Sequence, residues 1–169
     1  MPPDPEIFAL ASQLGERLRR EGLWLAVAES CTGGLLGAAV TDVPGSSAYF
    51  LGGVISYADR VKVEQLHVPG ATLQRSGAVS EETAAAMATG VRELLRADIG
   101  VSITGVAGPD AEGSKPVGLT FIGIATVPAR GGGNVTTLTH RFQWTGDRWD
   151  NRRRTVIAAL ELLVRAPEL

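Results

Sequence analysis

Three short apolar runs, Leu23–Ala28, Gly52–Tyr57 and Ile99–Thr104, constrain this chain more than any other feature. Each has strand length, and each stops at a polar or glycine-rich turn, which is the pattern of strands buried inside a sheet. The segments between them carry helical spacing. Glu6 to Arg20 places Phe8, Leu10, Leu14 and Leu18 near one face, and Glu21-Gly22 ends that pattern. Gly33 to Val40 reads as a small-residue helix packed closely on a sheet, and a short helix carries Val61, Lys62 and Leu66. Pro69-Gly70 and Gly77 mark an irregular connection up to Ser80, the expected N-cap of an alanine-rich helix with Glu81 and Glu82 in its first turn, reaching about Arg96. Leu119–Val127 and Asn134–Trp144 alternate as two strands of an antiparallel hairpin joined around Gly131-Gly132-Gly133. From Asp147 to Arg165, Val156, Ile157, Leu160, Leu163 and Val164 mark one face of a closing helix. This alternation predicts an α/β, three-layer α/β/α domain with a mixed sheet.

At 169 residues, 44% hydrophobic and 20% charged, the chain suits one compact domain over residues 1–169. A net charge of −2 offers no basic stripe for a nucleic-acid backbone; the run Arg152-Arg153-Arg154 sits among Asp147, Asp150 and Glu161. No apolar run approaches the roughly 20 residues that span a bilayer, and the start Met1-Pro2-Pro3-Asp4 lacks the basic residues of a signal peptide. The expectation is a cytoplasmic protein that engages neither nucleic acid nor membrane. Cys31 is the single cysteine, and His67 and His140 lie in unrelated segments, so no metal site is expected. Asn134-Val135-Thr136 is a chance sequon in such a protein.

Ligands of open α/β sheets collect outside the carboxyl ends of strands, where this chain places Glu29–Gly34 and Thr104–Gly108. Ser30 falls in a strand-to-helix turn. The amides of Gly33 and Gly34, opening the next helix, would face a phosphate or the oxyanion of an acyl-transfer intermediate. Thr32 suits a helix cap as well as a substrate contact. Gly108–Lys115 imitates a phosphate-binding P-loop, but its order is Ser114-Lys115 and Pro116 stops the helix that should follow. There is no dinucleotide fingerprint, no G-x-S-x-G elbow and no histidine placed for a Ser-His-Asp arrangement. A serine without histidine needs another base, and Lys62 is the candidate, with Tyr57 close enough in sequence to orient it. Spacing alone favours an ordinary solvated lysine. Cys31 is a rival nucleophile or a small buried filler. Arg148 and Arg152, four apart, share a helix face that suits a phosphate clamp, or pair with Asp147 and Asp150 at the surface.

Taken in series, Ala28-Glu29-Ser30-Cys31-Thr32-Gly33-Gly34, Pro44-Gly45-Ser46-Ser47, Gly53-Val54-Ile55-Ser56-Tyr57, Gly77-Ala78-Val79-Ser80, Thr104-Gly105-Val106-Ala107-Gly108-Pro109 and Lys115-Pro116-Val117-Gly118 resemble the CinA C-terminal domain, the nicotinamide-nucleotide amidohydrolase family. The resemblance runs from about Leu23 to the last helix. It implies an anticodon-binding-domain-like fold with a five-stranded mixed sheet, and hydrolysis of nicotinamide mononucleotide to nicotinic acid mononucleotide and ammonia without metal or cofactor. By that resemblance Ser30 is the nucleophile and Lys62 with Tyr57 its activating pair. Thr104 and the Gly105–Gly108 turn are pocket groups, and Arg148 and Arg152 lie near the nucleotide phosphate. Ala111 stands where a glycine is common, and Ala58-Asp59 where Ser-Asn is usual. Many relatives carry a large N-terminal domain, so this chain is a stand-alone version or part of a longer protein. The family tendency suggests a homodimer; Trp144 and Trp149 suit either an interface or the core. The family's historical name leaves open a non-catalytic module that binds a nucleotide or a partner in competence or DNA damage.

Overall fold

A computed structural model describes residues 3–127 and 134–166. Helix α1 (Pro5–Glu21) begins at Asp4, whose carboxylate accepts from the Glu6 and Ile7 amides, and ends at Gly22 in the left-handed region, φ 69°. It leads into β1 (Leu25–Glu29), followed by α2 (Leu35–Thr41), β2 (Phe50–Ile55) and α3 (Asp59–Leu66). Then come α4 (Gly70–Ser76), α5 (Glu81–Leu95), β3 (Ile99–Gly105), β4 (Leu119–Thr126), β5 (Thr136–Gln143) and α6 (Arg148–Arg165).

The sheet order is β2-β1-β3-β4-β5, with β2, β1 and β3 parallel and the β4–β5 hairpin antiparallel. This is the three-layer arrangement with a mixed five-stranded sheet that the element order implies. The triglycine between β4 and β5 lies outside the described residues. Period-two alternation sorts the strand side chains onto two faces. Leu25, Val27, Ile99, Val101, Ile103, Ile122 and Ile124 join α1, α2 and α6 in the larger core, while Ala26 and Ala28 face Met87 and Val91 of α5. Each fully buried Leu, Ile or Val contributes about 1.5–3 kcal/mol relative to exposure. The α5 face is the tight one. A Cβ at Gly100 would overlap the Ala88 carbonyl oxygen, so the alanine-rich helix lies almost backbone to backbone on β3.

Two expectations change. The stretch after Pro69 is a helix, α4, because the Pro69 carbonyl accepts from the Thr72 and Leu73 amides and Leu73 packs against the α5-side core. The run Gly52–Tyr57 is not a buried strand. β2 starts earlier, at Phe50, ends at Ile55 and alternates half-buried with exposed residues; among the described residues it is an edge strand, paired with β1 alone. Trp144 belongs to the core: it stacks on Phe142 at 5.0 Å, and its Nε1 donates to Thr155 Oγ1 at 3.0 Å. Trp149 is exposed.

The connection from β1 to β2 crosses through α2 on one face, and that from β2 to β3 crosses through α3, α4 and α5 on the other. Connections leaving toward opposite faces part the loops at the strand ends, and the crevice of an open α/β sheet forms there.

Candidate active site

At the carboxyl ends of β1, β2 and β3 lies a cavity of about 220 Å³. Ser30 and Cys31 line it from the first turn, and Tyr57, Asp59 and Lys62 from the second. The Thr104–Gly108 segment closes a third side, with Asp110, Glu112 and Arg148 around the opening. Among the described residues no cluster of three or more His, Cys, Asp or Glu side chains could hold a metal ion. No helix of the described chain is long and apolar enough to cross a membrane.

The Ser30 turn is held by its own backbone. The Ser30 amide donates to the Ile103 carbonyl at 2.9 Å, and the Gly33 amide returns to the Ser30 carbonyl at 3.1 Å. Gly34 begins α2 at φ 97°, a conformation open to glycine. Its amide does not face a ligand. It donates to Glu29 Oε2 at 3.1 Å, so the expectation that the Gly33 and Gly34 amides await an anion is corrected: both are taken inside the protein, and neither residue lines the cavity. The Cys31 and Thr32 amides donate to no backbone carbonyl among the described residues. Glu29 escaped the sequence reading. Its signal was an acidic residue just before a helix start, where the amide ends favour a carboxylate.

Thr32 is corrected as well. Its hydroxyl is fully buried, caps nothing and lines no part of the cavity. Its carbonyl accepts from Arg152 Nη2 at 2.7 Å. That bond splits the expected arginine pair. Arg148, in the first turn of α6, reaches the cavity and donates to the Gly108 carbonyl and, at 3.3 Å, to the Tyr57 hydroxyl. Arg152, one turn on, lies 5.5 Å from the Trp149 ring centroid and braces the Ser30 turn from behind.

Lys62 is not a solvated lysine. It is 1% exposed, and its Nζ donates to the Tyr57 carbonyl at 3.2 Å and to Asp59 Oδ1 at 3.3 Å. Tyr57 therefore orients Lys62 through its backbone, while its phenol, on a 60% exposed residue, meets Arg148. Ser30 Oγ is not among the hydrogen-bond partners of Lys62, although both residues line the same cavity. Asp59 is the second residue that the sequence reading did not assign.

Cys31 is almost wholly enclosed, and burial pushes its thiol up to about 12 from 9.0. It is a small buried filler beside Ser30, protonated at neutral pH. Thr104 is 1% exposed and donates to the Ala78 carbonyl at 2.7 Å, tying β3 to the loop before α5. Gly105 lies so close to β4 that a Cβ would sit 2.7 Å from the Leu119 carbonyl oxygen, and Gly108 has φ 102°. Buried Asn151, also missed, donates to the Ala107 carbonyl at 3.0 Å and accepts from the Gly146 amide at 3.0 Å, fastening the glycine-rich loop to α6.

Comparison with known proteins gives the same assignment at three levels. The family model of the CinA C-terminal domain matches residues 7–166. The CinA-like protein of Chlorobium limicola is 49% identical over 152 residues, covering 89% of this chain and 35% of its own length. That of Microcystis aeruginosa is 48% identical over 157 residues, covering 92% and 37%. The chain thus spans little more than a third of these relatives. Among solved structures, the competence/damage inducible protein CihA from Agrobacterium tumefaciens superposes with a TM-score of 0.87 at 37% identity, covering 95% of both chains. The competence damage-inducible protein A from Klebsiella pneumoniae gives 0.88 at 32% identity, covering 95% of this chain and 96% of its own. With a family model matching residues 7–166 and a fold shared with solved structures over nearly the whole chain, this chain belongs to the CinA C-terminal domain family.

Proposed function

We propose that this domain hydrolyses the carboxamide of nicotinamide mononucleotide to nicotinic acid mononucleotide and ammonia, a cytoplasmic step of pyridine nucleotide salvage. One observation carries the reading: Ser30, Tyr57, Lys62 and Arg148, from three separate segments, line a single cavity. The Ser30 hydroxyl attacks the carboxamide carbon, and the oxyanion is received by the amide of Cys31, which lines the cavity beside it. The Lys62 amine, leaving its bond to Asp59, takes the hydroxyl proton and returns it to the departing ammonia. Water then cleaves the serine ester and restores the hydroxyl. Arg148 offers its guanidinium to the phosphate, and the Thr104–Gly108 segment walls the ring.

The test is ammonia release from nicotinamide mononucleotide by the wild type and by Ser30→Ala and Lys62→Ala, with chelator present. The wild type turns over. Both variants lose at least about a thousandfold in kcat, and Ser30→Ala still binds the nucleotide. No turnover by a folded wild type overturns the reading.

A second reading is favoured by one contact, the engagement of Lys62 Nζ with Tyr57 and Asp59 instead of Ser30. The domain is then a non-catalytic nucleotide- or partner-binding module of the competence- or damage-related kind that the neighbours' names describe. It predicts bound mononucleotide and no ammonia.

A further inference from the structure

Glu29 ends β1 immediately before Ser30 and is 1% exposed. Oε2 accepts from the Gly34 amide at 3.1 Å and the Leu36 amide at 3.1 Å, and Oε1 from the Gly37 amide at 2.8 Å. Its carbonyl accepts from the Ser56 amide at 2.8 Å, which sets the path of the chain into Tyr57. A buried carboxylate must be compensated, and here three backbone amides of one short segment do so.

These bonds define the shape of the nucleophile turn. It is anchored at its start by Ser30 on Ile103, at its end by Gly34 on Glu29, and in between by Arg152 on the Thr32 carbonyl. Between the anchors lie the two amides that donate to no backbone carbonyl among the described residues, those of Cys31 and Thr32. Resting on the amidase reading above, we propose that Glu29 is the positioning residue of the nucleophile. By taking the Gly34, Leu36 and Gly37 amides, its carboxylate holds the turn in the shape that presents the Ser30 hydroxyl, with the Cys31 amide beside it, to the cavity.

The role needs a carboxylate. A carboxylate accepts at both oxygens, whereas glutamine has one acceptor and one NH₂. In either orientation of Glu29→Gln, the NH₂ faces at least one helix amide, donor to donor, and the turn must shift. Catalytic alignment is sensitive to shifts of about an ångström far more than binding is.

The experiment compares kcat and KM of wild type and Glu29→Gln on nicotinamide mononucleotide, with near-ultraviolet circular dichroism to show that the variant is folded. The expected result is a kcat reduced tenfold or more with KM within threefold of wild type. A kcat within twofold in the folded variant, or a loss confined to KM, overturns the proposal. Amide hydrogen exchange on the wild type decides it if the variant does not fold. Gly34, Leu36 and Gly37 are expected to be protected in the folded protein, as amides held by the Glu29 carboxylate; exchange at these three positions as fast as in the unfolded chain overturns it. A folded wild type that releases no ammonia overturns the amidase reading itself, a failure distinct from an active wild type with an unimpaired Glu29→Gln.

Discussion

Ser30 and Cys31 are adjacent and line the same cavity, but their surroundings separate their chemistry. The thiol is desolvated, which disfavours its charged form and keeps it protonated at neutral pH. The thiolate is the species that reacts, so alkylation reads this environment directly. At pH 8, iodoacetamide is expected to modify Cys31 at least tenfold more slowly in the folded protein than in urea, followed by intact mass. Fast modification of the folded protein would return Cys31 to contention as the nucleophile. Thr104 offers a second residue-scale test. Thr104→Val keeps the shape and removes the hydroxyl, leaving the Ala78 carbonyl without the donor it has at 2.7 Å. An unpaired buried carbonyl costs about 1–3 kcal/mol, and urea unfolding of this variant should show that loss.

Among the elements, two contacts set how tightly the layers close. Arg153 of α6 donates to Asp4 and Glu6 at the start of α1, each at 2.7 Å. Hydrogen bonding to Arg153 holds the Asp4 carboxyl below its ordinary 3.8, with the Ile7 and Glu6 amides adding to the effect. A lowered carboxyl contributes stability that is present above the unfolded value and lost as pH falls below it. Arg153→Met should therefore lose about 1 kcal/mol at pH 7, the scale of a partly exposed ion pair, and its deficit should narrow as pH falls below 3.8. A deficit that persists unchanged in acid would mean that lost packing, not charge, is responsible. On the opposite face, Gly100 lets α5 approach β3. A methyl there has no room, and Gly100→Ala is expected to destabilise by about 1–3 kcal/mol in the same urea assay.

At the scale of the molecule, one sheet serves two cores. Side chains from β1 and β3 face the α1–α2–α6 layer, and their sequence neighbours face α5, so neither layer can leave without exposing the other's strands. The described chain is expected to unfold in one transition, with tryptophan fluorescence and far-ultraviolet circular dichroism coincident in urea. Separated midpoints would show that the layers come apart independently. The cavity belongs to this scale too, since the segments lining it run from Ser30 to Arg148 and meet only when the sheet is complete.

Much of the architecture was legible in the sequence because its signals are local. Strand-length apolar runs located β1 and β3, alternation located the β4–β5 hairpin, and Ser80 marked the start of α5, where its hydroxyl accepts from the Thr83 amide. Short glycine-rich blocks located the turns around the cavity and pointed to the family. Local pattern could not say that β2 is an edge strand, that the segment after Pro69 winds into α4, or that Lys62 is buried. Nor could it divide Arg148 from Arg152, whose bond partner Thr32 is 120 residues away. Element type follows from periodicity within one segment. Burial and donor–acceptor pairing follow from which segments the sheet brings together, and that is why Glu29, not a ligand, holds the amides at the start of α2.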